Sequence, residues 1–365
     1  MINRAELKNF GPIKQLDWQN LGKINLIIGN NGCGKSFLLK ALYSAVRTLE
    51  DYKRGDNPDS VTDILRSKLY WTFQPEKISY LVTNPSDTDL LFKLTFDQQS
   101  FSYSFGKDSA KTQAFISLDN QVVPRSDNSI FLPAKEVLTL HLIILKSREQ
   151  DKLYGFDDTY LDLAKALSQT PTTEIVRCWG NNLAIGGSEH LSPNFPLSSG
   201  YNSIDFNDSR MLLEGLIGGR IEFDYVNNRW YFLKNGQRFP MGITAEGIKK
   251  IGILDTLLGN GYLNEKSIIF FDEPESALHP EAIDKLMDII TILAKHGIQF
   301  FLASHSYFVI KKLFLIAQEQ RLSIPVLSYQ NDEWVQSDLK DDLPDNPIID
   351  ESIRLYEQQL DLSDN

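Results

Sequence analysis

The residues best suited to chemistry form one unbroken run, Gly29-Asn-Asn-Gly-Cys-Gly-Lys-Ser36, which fills the pattern G-x-x-x-x-G-K-[ST] completely. Its glycines allow successive backbone N–H groups to turn inward as an anion nest, and a helix beginning near Lys35 aims its positive end at the same point. Asn30, Asn31, Gly32, Cys33, Gly34, Lys35 and Ser36 then line a phosphate cradle. Lys35 reaches β- and γ-phosphates, and the Ser36 hydroxyl binds Mg²⁺. Cys33 reads as a small residue that fits the loop, not as a redox sensor. The flanks give the pattern its weight: the apolar run Ile24–Ile28 precedes it, and helically spaced apolar positions from Phe37 to Leu49 follow.

A phosphate cradle needs an acidic partner, and the second half of the chain supplies one. Ser267-Ile-Ile-Phe-Phe-Asp-Glu273 is an apolar strand that ends in two carboxylates. Asp272 is the residue to hold Mg²⁺, and Glu273 the one to polarise an attacking water. An Asp-Glu pair at a strand end also makes a helix cap, so its meaning here depends on the loop at 29–36. A further strand, Gln299–Ala303, ends in Ser304-His305. A histidine at that place either reaches a γ-phosphate or caps a turn.

These residues need a frame. Arg4–Phe10 reads as an edge strand, closed by a turn at Gly11-Pro12. Leu90 to Leu118 alternates like a meander of short strands, and Ser129–Leu132 reads as another buried strand. Val137 to Lys146 and Tyr160 to Leu167 are helical in pattern, and a Gly/Ser/Asn/Pro-rich stretch runs from Gly180 to Ser209. Arg220–Tyr225 and Arg229–Leu233 form a hairpin around Asn227-Asn228, with Trp230 and Tyr231 packing it. Glu246–Leu258 and Ala282–Lys295 are helices that alternate with the strands at 267–271 and 299–303. Strands alternating with helices indicate an α/β core with a mainly parallel sheet. The expected division is a discontinuous core of 1–133 and 220–340, a helical and irregular insertion or lid at 134–219, and an acidic tail and helix at 341–365.

Composition narrows the class. The chain has 365 residues, 42% hydrophobic and 23% charged, with a net charge of −11. That balance disfavours a broad basic surface for nucleic acid, although it leaves a local basic groove open. The apolar runs are too short to span a bilayer, no export segment opens the chain, and two cysteines make no disulfide framework. A soluble, cytoplasmic protein is the expectation. The histidines at 141, 190, 279, 296 and 305 form no HxH or HExxH pattern and no CxxC pair exists, so a built-in metal nuclease is not expected.

The stations at 29–36, 270–275 and 303–306, in that order, resemble ATPases of the ABC type and more closely the RecF/SMC-like branch. Leu7-Lys-Asn-Phe-Gly-Pro-Ile13, Phe270-Phe-Asp-Glu-Pro-Glu275 with Leu278-His-Pro280, Leu132-Pro-Ala-Lys-Glu136 and Ala245-Glu-Gly-Ile-Lys-Lys250 are similar to the OLD-related bacterial AAA group (AAA_21/AAA_15-like). The resemblance implies a P-loop fold with an ABC-like mixed sheet, an antiparallel N-terminal part, and ATP and Mg²⁺ as cofactors. It also implies a homodimer in which a signature motif of one copy faces the nucleotide of the other. Thr244-Ala-Glu-Gly247 opens a helix at the required distance before Asp272 and is preferred for that role. Leu197-Ser-Ser-Gly200 is the better spelling but lies in the irregular stretch. Alanine at 245 departs from the serine frequent in the family.

By the same resemblance Ser276, Ala277 and Leu278 form the loop that crosses the dimer interface, or else a polar helix start before Pro280. Gln74 is the glutamine that senses Mg²⁺ and water, or else an ordinary loop residue. Lys8 and Asn9 approach the nucleotide. OLD-type proteins continue into a Toprim nuclease domain, and SMC proteins carry a coiled-coil arm. Too few residues follow His305 for the first, and no sustained heptads exist for the second. The expectation is a stand-alone ATPase head controlling a separate effector, a nuclease or toxin, in bacterial anti-phage defence. Its alternatives are a RecF-like ATPase acting directly on DNA and a nucleotide-gated scaffold with little hydrolysis.

Overall fold

The structure, a computed structural model, describes residues 1–83, 88–107, 117–169 and 206–363. The chain opens with β1 (Ile2–Phe10), which turns at Gly11-Pro12 into β2 (Ile13–Trp18), so that Phe10 pairs with Ile13. The central strand β3 (Ile24–Ile28) leads through the glycine loop into α1 (Lys35–Asp51), and α2 (Val61–Phe73) follows. Strands β4 (Leu90–Phe96), β5 (Gln99–Phe105) and β6 (Ser117–Asn120) complete a five-stranded antiparallel sheet in the order β2-β1-β4-β5-β6.

After β7 (Ile130–Leu132) come the short α3 (His141–Leu145), α4 (Asp158–Leu167) and α5 (Asn207–Ile217). The helix expected over Val137 to Lys146 starts only at His141 and runs on beyond Lys146 as a π-helical turn, Lys146–Gln150; ahead of it the Glu136 carboxylate accepts the Thr139 N–H at 3.1 Å, in a turn where the helix was expected to begin. A three-stranded sheet of β8 (Arg220–Asp224), β9 (Arg229–Lys234) and β10 (Gln237–Pro240) precedes α6 (Glu246–Gly259). Then β11 (Ile268–Asp272), α7 (Pro280–Lys295), β12 (Gln299–Ser304), α8 (Tyr307–Gln320), β13 (Pro325–Gln330), β14 (Glu333–Asp338) and α9 (Pro347–Ser363) close the chain.

The main sheet has the order β14-β13-β3-β12-β11-β7. All neighbours from β13 to β7 run parallel, and only β14 is antiparallel. Both faces of this sheet are covered, which explains the unbroken apolar runs. In β3, Ile24, Leu26 and Ile28 join one hydrophobic cluster and Ile27 the other. Phe270 and Phe301 likewise face one side while Phe271 and Phe300 face the opposite one. Helix α1 is buried nearly all round, as a helix held between two layers is, and its buried polar residues include Ser44, Arg47, Thr48 and Glu50. Its Leu38, Leu42, Tyr43 and Val46 share a cluster with Phe92 of the antiparallel sheet and Phe270 and Phe301 of the main one.

Because β3, β11 and β12 are parallel neighbours, the loops after them emerge on a single edge of the sheet. That edge is where open α/β sheets bind ligands. Among the described residues no helix is long and apolar enough to cross a membrane.

Candidate active site

The loop after β3 takes its shape from glycines with positive φ. Gly29 has φ 154° and Gly34 φ 103°. A Cβ at Gly29 would stand 2.9 Å from the Cys33 sulfur and from Tyr329 Cβ, and one at Gly34 would stand 3.0 Å from Pro12. Helix α1 begins behind this loop with no side chain capping its first turn. Its leading N–H groups therefore face the loop's concavity, where an anion would satisfy them. Lys35 is buried, and its ammonium donates to the carbonyls of Gly29 at 2.7 Å and Asn30 at 3.0 Å. A cation satisfied only by two loop carbonyls can exchange them for phosphate oxygens at little cost.

At the end of β11 the buried Asp272 accepts the Ser36 hydroxyl at 2.9 Å. Burial pushes its carboxyl above the usual range, the Ser36 bond pulls it back, and the adjacent Glu273 charge pushes it up again. A buried carboxylate with a hydroxyl beside it is a hard oxygen donor set of the kind Mg²⁺ takes when phosphates supply other ligands. Among the described residues no group of three or more His, Cys, Asp or Glu could cage a metal alone. The donor set fits a metal shared with a nucleotide, not a resident metal centre.

Glu273 leaves the strand with φ 49°, and its N–H donates to the Ala303 carbonyl of β12 at 2.9 Å. Its carboxylate lies 3.6 Å from His305 Nδ1, and Glu275 lies at the same distance from that nitrogen. Glu275 is buried and accepts both the Ser304 hydroxyl, at 2.8 Å, and the His305 N–H, at 3.0 Å. Lys250 of α6 donates to the Glu273 carbonyl at 2.6 Å. Burial lowers its ammonium to about 8, against the opposing pull of Glu275, Glu273 and Asp272.

The remaining expected residues occupy distinct places. Thr244, Ala245, Glu246 and Gly247 lie at the start of α6, against the loop after β11: a Cβ on Gly247 would meet Leu278 at 2.6 Å and the Ala277 carbonyl at 2.7 Å. Ser276 is tied to Ala134 at 3.5 Å. Leu197–Gly200 falls outside the described residues. Gln74 caps α2 and donates its amide to the Phe156 carbonyl at 2.9 Å. The Asn9 amide is held by Thr88 at 2.6 Å, and the adjoining turn presses Gly11 on Phe37, which brings Lys8 and Asn9 to the side of the α1 start. Sequence reasoning assigned no role to Lys250 or Tyr160. The Tyr160 phenol is raised by burial and by the charges of Asp157 and Asp272, which sets the start of α4 beside the site.

The model of the AAA_21 family, described as "AAA domain, putative AbiEii toxin, Type IV TA system", matches residues 24–311, a span that holds all three site loops. The chain is 22% identical over 380 residues to an "ATP/GTP phosphatase" of Helicobacter pylori, covering 90% of this chain and 96% of that protein. It is 31% identical over 130 residues to an uncharacterised protein of Methanocaldococcus jannaschii; that alignment covers 35% of this chain, which spans 56% of the relative's length. The crystal structure of an SMC head bound to the C-winged helix domain of ScpA superposes with a TM-score of 0.50 at 13% identity, over 93% of this chain and 98% of that one. At such identity the likeness is one of fold: a P-loop NTPase with the mixed sheet of SMC and ABC heads.

Proposed function

The chain belongs to the AAA_21 family of AAA domains, and from that premise we propose that it binds and hydrolyses ATP as a head-to-tail homodimer that governs a separate effector. The observation that carries this reading is the bond between Ser36 and Asp272, with Glu273 as the next residue. It brings the 29–36 loop and the carboxylates of Asp272 and Glu273 to one edge of the main sheet.

In this reading the N–H groups of the 29–36 loop and the start of α1 hold the phosphates, and Lys35 turns from the Gly29 and Asn30 carbonyls to the β- and γ-oxygens. Ser36 and Asp272 hold Mg²⁺, which when bound offsets charge building on the phosphate oxygens. Glu273 orients the attacking water and draws off its proton, while His305 donates to the γ-phosphate. Gln74 senses Mg²⁺ and the attacking water, and Lys8 and Asn9 approach the nucleotide. The start of α6, Thr244 to Gly247, and the loop Ser276 to Leu278 face the nucleotide of the second copy. The effector role is supported by the family's description, which names a toxin of a type IV system, and fits the cytoplasm and phage defence.

Hydrolysis is tested by single-turnover rates of wild type and Glu273→Gln. The variant should fall by about 10²-fold or more; equal rates would overturn the role of Glu273. Unchanged ATP affinity in Lys35→Ala would sink the cradle. The effector is tested by affinity capture of ATP-loaded Glu273→Gln from native cells: a stoichiometric partner that ADP releases is expected. Its absence together with steep, salt-dependent DNA binding by the isolated protein would replace this reading with direct action on DNA.

A further inference from the structure

Lys250 lies outside the motifs that carry the proposed hydrolysis, yet it joins two of them. It is 5% exposed and sits one helical turn beyond Gly247 on α6. Its ammonium donates to the main-chain carbonyl of Glu273 at 2.6 Å, a carbonyl that also accepts the Ser276 N–H at 3.0 Å. Burial works against its charge. An unbranched apolar side chain would fill the same space without that penalty, so packing does not account for a lysine here.

The carbonyl it holds belongs to a residue in an uncommon conformation. Glu273 has φ 49°, the left-handed region that side chains with a Cβ rarely enter. Its main chain is clamped on both sides, by Ala303 at the N–H and by Lys250 at the carbonyl. This turn sets the direction of the carboxylate that stands 3.6 Å from His305. The same helix touches the loop again at Gly247, against Ala277 and Leu278. One helix therefore bears on both ends of the segment 273–278, and in the reading above its N-terminus serves the nucleotide of a second copy.

We propose that Lys250 is a positioning residue for hydrolysis: its bond to the Glu273 carbonyl holds the left-handed turn that aims the catalytic carboxylate, and ties that turn to the helix serving the partner's nucleotide. The inference rests on the ATPase reading above. It acts through Glu273 and not on the phosphates, so it predicts a split between binding and turnover.

The test compares Lys250→Met and Lys250→Arg with wild type and Glu273→Gln, using Mg-ATP. Lys250→Met should bind a fluorescent ATP analogue within about twofold of wild type, melt no lower, and lose about tenfold or more in kcat, since small misplacements of a catalytic group have effects of that size. Lys250→Arg, which restores a donor, should recover most of the loss. Full kcat in Lys250→Met overturns the proposal, as does a loss that tracks a fall in melting temperature and is not rescued by arginine. Amide exchange of residues 273–278 without nucleotide should rise in Lys250→Met and return in Lys250→Arg, and unchanged exchange also overturns it. If wild type and Glu273→Gln hydrolyse equally, the ATPase reading fails and the catalytic half falls with it, while exchange still decides whether Lys250 holds the turn.

Discussion

The hydroxyl of Ser36 donates to Asp272 across 2.9 Å, binding the start of α1 to the end of β11 over 236 positions of sequence. Neither residue is expensive to place alone, but together they bury a carboxylate whose nearest compensation is one neutral hydroxyl. The pair is therefore poised for a cation.

That imbalance has a measurable sign. Burial raises the Asp272 carboxyl above its unfolded value. The protonated form favours folding, and this contribution is lost as pH rises from the unfolded pKa through the raised one, so at neutral pH the ionised group burdens the nucleotide-free protein. Asp272→Asn should leave the melting temperature at pH 7 unchanged or higher. Mg-ATP at about 100 times its Kd should stabilise wild type by about 2.7 kcal/mol and the variant by much less. Thermal melts with and without Mg-ATP decide it, and equal stabilisation of both proteins would remove Asp272 from the metal.

Gly247 gives a second prediction. An added Cβ would lie 2.7 Å from the Ala277 carbonyl, which is backbone and cannot swing away as a side chain can. Gly247→Ala should destabilise by about 1–3 kcal/mol, the range for overpacking, and push the 276–278 loop from the helix. Leu278→Ala in the same protein removes one of the two clashes and should restore only part of the loss. A Gly247→Ala protein with wild-type stability would mean that α6 and the loop are not in contact.

How much of this was legible depends on what each residue answers to. The strands β3, β11 and β12 were readable because a parallel sheet buried on both faces demands unbroken apolar runs, and the glycine loop because its flanks are part of its pattern. Strand β2 was not, since its buried positions Ile13, Leu16 and Trp18 do not alternate. Helix α2 was missed although Ser60 caps it through the Asp63 N–H. The adjacent lysines 249 and 250 are equivalent in sequence. Only the helical face separates them: Lys249 goes to Glu246 at 2.6 Å, and Lys250 goes to a carbonyl that the fold brings from 23 positions away. The bonds of Glu275 to Ser304 and His305 have the same origin in tertiary contact.

Lys250 also governs stability against pH. Burial lowers its ammonium to about 8 from 10.5. The unfolded chain binds the extra proton between those values, so this group makes stability rise with pH across that window. Lys250→Met should abolish that rise and exceed wild type at pH 7 by on the order of 2 kcal/mol, while the two converge near pH 10.5. Urea unfolding at pH 7 and at higher pH measures both. A variant less stable than wild type at pH 7 would show that the carboxylates around Lys250 outweigh its burial.

Glu275 is the remaining link. One of its oxygens accepts both the Ser304 hydroxyl and the His305 N–H, and the other is buried without a hydrogen-bond partner. Glu275→Ala would leave two donors unsatisfied at the end of β12, at a cost of about 1–3 kcal/mol for each one kept from water. Water reaching Ser304 would lessen it. The effect on turnover should pass through His305, because Glu275 fixes the backbone from which that side chain projects and stands 3.6 Å from its Nδ1. Glu275→Gln keeps an acceptor oxygen and should retain most of the activity that Glu275→Ala loses. If both residues act as a unit, adding Glu275→Ala to His305→Ala lowers kcat little beyond His305→Ala alone. Additive losses in that double-mutant cycle would mean that Glu275 acts on hydrolysis by a route of its own.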